Sequence, residues 1–508
     1  MMIDLELSTS LLLCLLPFLF LFFINFTNLL FPSKSTKIPT SYPIIGSYFS
    51  ILANKERRIQ WTCEVLQTTS NLTFTLIRPF GFRQIFTANP SNVQHILKTH
   101  FHIYQKGDVF KTTMADFLGD GIFNVDGEIW KYQRQVSSHE FNTKSLRKFV
   151  ENVVDAELNE RLIPVLAAAA SEKTLLDFQD ILQRFAFDNI CKIAFGYDPA
   201  YLLPSLPHAK FAVAFEEAVR LSSERFNAVF PFLWKIKRNF NIGTEKKFKA
   251  AVDEVRQFAK KLVKEKQREL SEKSSLDSVD LLSRFLSAGQ KDEDFVTDIV
   301  ISFILAGRDT TSAALTWFFW LISGHPQVED QILKEIKAKS ESPVYDEVKD
   351  MIYTHASLCE SMRFYPPVPI DTKAATEDDI LPDGTFVKKG TRVSYHPYAM
   401  GRAEKLWGTD WENFKPERWL DKDEASGNWT FVARDTYVYP VFQAGPRICL
   451  GKEMAFLQMK RVVAGILRRF RVVPVAEKGV EPVFVSYLTA KMKGGFPVSI
   501  EERKNIDF

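Results

Sequence analysis

"PVFQAGPRICLGKEMAF", residues Pro440–Phe456, places one of the chain's five cysteines, Cys449, in a loop of small residues just ahead of a helical pattern. The run that follows, "LGKEMAFLQMKRVVAGILRRF", has the apolar spacing of an amphipathic helix. A sulfur at a helix N-terminus meets free amide N–H groups and the positive end of the helix dipole, and both favour a thiolate. Gly445 and Gly451 let backbone approach a flat object closely. Arg447 can pair with an anionic group at that object's rim. Zinc fits poorly, because no second Cys or His stands at ligand spacing. A redox or nucleophilic thiol is one reading of the loop. A haem iron held by a single thiolate is the other, and it accommodates the glycines, the arginine and the lone cysteine together.

The chain around this loop has 508 residues, a formal net charge of +3, 46% hydrophobic and 25% charged residues. That balance is globular rather than disordered, and it gives no case for nucleic acid as a partner. Forty-four phenylalanines predict a large aromatic core, with which an apolar ligand cavity is compatible.

Leu11 to Phe31 reads "LLLCLLPFLFLFFINFTNLLF", interrupted only by Pro17, Asn25, Thr27 and Asn28. As a helix it spans about 31 Å, enough to cross a bilayer core. Residues 1–31 are therefore expected to be a single membrane anchor rather than a cleaved signal, since no small-residue cleavage site is evident. Lys34 and Lys37 follow the span and no Lys or Arg precedes it, so the body is expected on the cytosolic side. Cys14, Cys63, Cys191, Cys359 and Cys449 are then expected to be thiols or ligands, not disulfides. Residues 32–46 carry Pro32, Pro39 and Pro43 and read as a stiff linker. Residues 47–508 show no repeat and no second boundary.

Within that body, "QIFTANPSNVQHIL" predicts a strand, a Pro turn and a helix. "DFVTDIVISFILAGRDTTSAALTWFFWLIS" predicts one long, mostly apolar helix. A second membrane span is the rival reading there. Arg308 and Asp309 oppose it, because each would cost about 3 kcal/mol or more at mid-bilayer. Strand-like pieces alternate with turns from Lys373 to Arg402, and "EPVFVSYLTAKMKGGFPVSI" reads as a hairpin. The expected fold class is mainly α with small β-sheets (α+β).

"FQAGPRICLG" resembles the haem-binding loop of the cytochromes P-450, the haem-thiolate monooxygenases. All five fixed positions of that pattern are filled, by Phe442, Gly445, Arg447, Cys449 and Gly451. The resemblance implies the cytochrome P-450 fold behind an N-terminal anchor, haem b with Cys449 as axial iron ligand, and dioxygen as co-substrate. "AGRDTT" resembles the family's oxygen-binding helix, with Ala306 and Gly307 leaving room for oxygen. Thr310 and Asp309 would be the catalytic pair, because reductive splitting of dioxygen consumes two protons. A hydroxyl that holds water, with a carboxylate behind it, can relay them. "ESMR" and "FKPERW" resemble the family's structural cluster, here Glu360, Arg363 and Arg418. "WKYQR" looks like the pair that meets a haem propionate, Trp130 and Arg134.

No Gly-rich nucleotide fingerprint is present. The resemblance therefore implies electrons from NADPH through NADPH–cytochrome P-450 reductase. Lys131, Lys144, Arg147, Lys148, Lys452 and Lys460 are candidates for its docking face. The implied location is the endoplasmic reticulum membrane, single-pass, with the catalytic body in the cytosol.

"DFLGDGIFNVDGEIWKYQRQVSSHEFNTKSLRKFVE" and "PPVPIDTKAATEDDILPDGT" are similar to the plant fatty-acid ω-hydroxylase branch. That implies hydroxylation at or near the methyl end of a fatty acid. Lys373, beside "PPVPIDT", is the expected holder of the substrate carboxylate. Four segments are expected to line the pocket: Phe110 to Phe123, Ile301 to Thr310, Val368 to Lys373 and Ser486 to Lys491. Jasmonoyl-isoleucine, oxidised by relatives of this branch, is the alternative substrate. Two other classes are a reductase-independent haem-thiolate hydroperoxide isomerase or dehydratase, and a non-enzymatic haem-binding protein.

Overall fold

The computed structural model describes residues 38–207, 210–272, 280–290, 292–423, 429–475 and 481–503. The expected anchor, 1–31, lies outside them, as does the 32–37 part of the linker. Among the described residues no helix is long and apolar enough to cross a membrane.

The helices that build the site are α1 (Arg58–Thr68), α2 (Gly107–Leu118), α3 (Gly127–Ser138), α4 (Phe178–Phe195), α5 (Lys210–Asn227), α6 (Glu293–Ile304), α7 (Thr310–Ser323), α8 (Ile352–Phe364) and α9 (Lys452–Arg469). Their ends follow from local chemistry. The Asp177 carboxylate accepts from the N–H groups of Gln179 and Asp180 to cap α4, and Gly196 closes it in the left-handed conformation at φ 64°. Asp292 caps α6 in the same way. In α7 nearly every side chain is buried, among them Trp317, Phe318 and Phe319. A helix that is apolar all round belongs in the middle of a body.

The expected single long helix is interrupted. Between α6 and α7, Leu305–Asp309 forms a π-helical turn. The Thr310 hydroxyl donates to the Ala306 carbonyl at 2.6 Å, competing with the regular helical bond at the level of that turn.

A five-stranded sheet flanks the helices. Its strands are β1 (Thr73–Ile77), β2 (Arg83–Thr87), β3 (Tyr104–Gln105), β4 (Asp371–Ala375) and β5 (Arg392–Tyr395), in the order β1-β2-β5-β4-β3. β2 and β5 are parallel, with Gln84 opposite Arg392; β5 and β4 are antiparallel, with Val393 opposite Lys373. The C-terminal hairpin is formed only in part. Phe484–Ser486 pairs with Ala490–Met492, but Pro497–Glu502 pairs instead with Phe470–Pro474 and Leu176–Asp177. The paired glycines Gly494 and Gly495, both at positive φ, redirect the chain between the two sheets.

Candidate active site

The Cys449 loop leads into α9, whose N-cap is Gly451. The Cys449 N–H donates to the Phe442 carbonyl at 2.9 Å and that of Ile448 to Gly445 at 3.1 Å, so the loop is internally braced. Gly445 sits at φ +65°, and a Cβ there would fall 2.0 Å from the Leu97 carbonyl oxygen. Only glycine lets the loop lie this close to its neighbour. Gln443 also has positive φ, 62°, a strained conformation for a residue with a side chain. Its amide donates to Asp371 at 2.6 Å and its carbonyl accepts from the Tyr395 hydroxyl, and these bonds hold it there. The sequence pattern treats position 443 as free; its role is visible only in space.

The four described cysteines are free thiols. Cys63, Cys191 and Cys359 are buried in the core, where burial raises their pKa values. Cys449 is accessible although protein surrounds it, because it opens into a cavity of about 420 Å³. Burial raises its thiol too, opposed by the Gly451 N–H and by the charges of Arg134 and Lys452.

Beside the cysteine stands a cluster of cations. Arg447 pairs with Asp126 at 2.7 Å, donates to the Val125 carbonyl at 3.0 Å and lies 4.4 Å from the Trp130 ring centroid. Arg134 lies 5.9 Å from the same ring and, among the described residues, has no carboxylate at ion-pair distance. Lys106 lines the cavity, and burial, followed by the charge of Lys373, pulls it down to about 7. Lys373 pairs with Asp371 at 2.8 Å and is almost fully buried. Burial would raise the Asp371 carboxyl, but Lys373 and Lys106 hold it well below the usual range.

Lys373, the expected holder of the substrate carboxylate, lines the cavity with a counter-ion already in place. Its charge is already matched by Asp371, on the sheet face that meets the Cys449 loop through Gln443. Arg134, Lys106, Lys373 and Arg447 share two carboxylates, Asp126 and Asp371, and Asp126 is also paired with Lys111 at 3.0 Å. The cations outnumber the carboxylates, and this excess of positive charge suits the propionates of a haem. The accessible sulfur and this surplus both fit that group, whereas the close approach at Gly445 is to Leu97 and not to the cavity.

Across the cavity from the loop come Ala306, Gly307 and Thr310. The space at Gly307 is taken by Ile190 of α4, against which a Cβ would fall at 2.5 Å. The open position is therefore at Ala306, and Gly307 serves the close packing of α4. The Thr310 hydroxyl spends its proton on Ala306, leaving its lone pairs to hold water in the cavity. Asp309 is buried and turned away from the cavity. It pairs with Arg308 at 2.7 Å and accepts from the Thr489 hydroxyl at 3.5 Å, and Thr489 lines the cavity. Arg308 also reaches Glu216 of α5 at 3.0 Å, and Glu216 binds Lys491 at 2.7 Å. Burial would raise the Glu216 carboxyl, but Arg308 and Lys491 bring it down to about 2.

Glu360 and Arg363 are fully buried in α8 and joined by two bonds of 2.8 Å. Arg363 also donates to the carbonyls of Gly401, Trp411 and Asn413. Arg418 Nε comes within 3.3 Å of Glu360, near enough for charge pairing but not aligned for a hydrogen bond. Two further donors to Glu360, the Lys415 N–H at 3.1 Å and the Trp419 indole at 2.9 Å, complete its shell.

The four expected lining segments all reach the cavity, through Phe110 to Phe123, Phe303 to Thr310, Val368 to Lys373 and Tyr487 to Thr489. Of the expected docking residues, Lys131, Lys144, Arg147 and Lys148 are exposed and Lys452 is half-buried. Lys460 is not available: it is 3% exposed and donates to the Lys349 carbonyl at 2.9 Å.

A family model described as Cytochrome P450 matches residues 37–495. The chain is 67% identical to Cytochrome P450 94A2 of Vicia sativa, over 93% of this chain and 92% of that relative. It is 64% identical to Cytochrome P450 94A1 of the same organism, over 92% and 91%. Its identity to Cytochrome P450 94B1 of Arabidopsis thaliana is 46%, over 94% and 95%.

Proposed function

Because the chain belongs to the cytochrome P450 family, as a monooxygenase and therefore an oxidoreductase, we propose that it hydroxylates fatty acids at or near the methyl end, taking electrons from NADPH through the reductase. The observation that carries this reading is the cavity. It joins an accessible Cys449 and the Thr310 hydroxyl to a wall dominated by Phe110, Phe123, Phe226, Phe303 and Leu488. Such a wall takes an alkyl chain and excludes water from it.

Haem bound through Cys449 supplies activation of dioxygen, and the chain supplies the surroundings. Arg134, Lys106 and Arg447 would hold its propionates, and Gly451, which lines the cavity without a side chain, would leave room for the ring. Thr310 Oγ1 holds water near the oxygen position, with Asp309 connected to the cavity by Thr489. The apolar wall fixes the alkyl chain so that only its end reaches the oxidising centre. That is a positioning effect, needed because terminal C–H bonds are stronger than internal ones. The same reading anchors residues 1–31 in the endoplasmic reticulum membrane, with the body in the cytosol.

Purified holoprotein with the reductase, NADPH and dodecanoic acid is expected to give the ω-hydroxy acid. Formation of product from a fatty-acid hydroperoxide without NADPH would instead favour an isomerase. Thr310→Ala is expected to keep consuming NADPH while product per NADPH falls about tenfold or more, since a positioned proton relay contributes on that scale. Unchanged coupling in that variant removes Thr310 from the relay.

A further inference from the structure

Two arginines, Arg58 and Arg78, stand at a part of the cavity wall distinct from the Cys449 loop, with Arg392 behind them against Gln84, and among the described residues none of the three has a carboxylate at ion-pair distance. Arg58 begins α1, Arg78 follows β1 and Arg392 begins β5. Arg58 and Arg78 line the cavity directly, as does Gln84. Arg78 and Arg392 both donate to the Gln84 side-chain oxygen, at 3.2 and 2.8 Å. The other partners of Arg78 are neutral, the carbonyls of Asn227 and Ala228 at 3.5 and 2.8 Å. The Arg392 guanidinium lies 4.7 Å from the Phe226 ring centroid, and its buried Nε has no partner.

These three arginines are half-buried, whereas the fully buried ones are each matched by a carboxylate. Arg225 is matched by Glu245 and Asp116, Arg363 by Glu360, and Arg461 by Asp155. At the cavity the three charges instead oppose one another. Burial first, then Arg78, brings Arg58 down to about 10, and Arg392 is lowered by burial and by both neighbours. Half-buried positive charge left without a counter-charge beside a cavity is a place an anion can enter.

The sheet sets the direction of this cluster. Alternate side chains of a strand emerge on opposite faces. Arg392 and Ser394 share a face with Gln84 and Thr372, joined by contacts of 3.1 Å (Gln84 to Ser394) and 2.8 Å (Thr372 to Ser394). Tyr395, Asp371 and Lys373 emerge on the other face, where they meet Gln443 of the Cys449 loop. The arginines are thus turned away from the cations around Arg447. Leu76 and Phe86, in register with Gln84 and Ser394, continue the arginine face as apolar wall.

We propose that Arg58, Arg78 and Arg392 bind the carboxylate of the acyl substrate, holding its charged end at this wall and directing its methyl end toward Cys449. The proposal rests on the fatty-acid reading above and makes these arginines positioning residues, since none meets the reacting carbon. A guanidinium fork suits a carboxylate, and Gln84 fixes two of the forks in place.

Dodecanoic acid and methyl dodecanoate, titrated into the holoprotein with the Soret band as readout, separate charge from chain. The wild type is expected to bind the acid about tenfold or more tighter than the ester. Arg78→Gln and Arg392→Gln are expected to weaken the acid about 10–100-fold and leave the ester nearly unchanged. Their product is expected to shift inward from the terminal carbon, and Arg78→Lys to recover part of the acid preference. Equal binding of acid and ester by the wild type overturns the anchor even if no variant folds. So does equal weakening of both probes in variants with an intact CO spectrum. In either case fatty-acid oxidation itself would stand. A wild type that neither binds nor oxidises either probe removes the functional reading, and the anchor with it.

Discussion

Cys449→Ala is expected to abolish the red-shifted Soret band of the reduced, CO-treated protein and to reduce NADPH-dependent oxidation to background. Among the described residues no other thiol can take over. Cys63, Cys191 and Cys359 are packed in the core, and burial keeps their thiols protonated. The Cys449 sulfur is the one that opens into the cavity, beside the Gly451 N–H and the charge of Arg134. Thiolate coordination is what gives the band its position and favours O–O cleavage. Alanine removes the donor without disturbing the loop's backbone bonds from Cys449 to Phe442 and from Ile448 to Gly445. Retention of the band in the variant would place the axial ligand elsewhere and dismantle the assignment of the whole site.

The second large effect is on stability. Arg363→Ala is expected to destabilise the protein by about 3–5 kcal/mol, because it leaves the buried Glu360 carboxylate without its main counter-charge. The loss is compounded by carbonyls of Gly401, Trp411 and Asn413 that would lose their donor. Arg363→Lys should rescue little, since one ammonium cannot reach a carboxylate and three carbonyls in separate directions. Urea unfolding followed by tryptophan fluorescence measures this, because Trp407 and Trp419 pack in the same region. A midpoint within error of wild type for Arg363→Ala would mean that the cluster is energetically idle.

The parts of this architecture that local sequence specifies were legible in it. The Cys449 loop is a contiguous pattern, and its glycines and arginine occupy the places their chemistry requires. Glu360 and Arg363 stand one helical turn apart, so their pairing follows from helix geometry. The pairing of Lys373 was also within reach. Asp371 is two residues away on a strand, hence on the same face, and that spacing offers an ion pair before it offers a substrate. What could not be read was set by long-range placement. Arg58, Arg78 and Arg392 meet only because β2 pairs in parallel with β5 across some 300 residues of chain. Gln443 carries no signal of its own, since its strain and its bonds to Asp371 and Tyr395 exist only after the sheet has formed. The π-helical turn at Leu305–Asp309 escaped for the opposite reason: the apolar spacing continues through it, and only a hydroxyl's choice of acceptor marks the change.

Glu216 joins two duties in one carboxylate. It clasps Arg308 from the central helix and Lys491 from the C-terminal hairpin, while itself belonging to α5. One carboxylate thus fastens three stretches of chain that lie far apart in sequence.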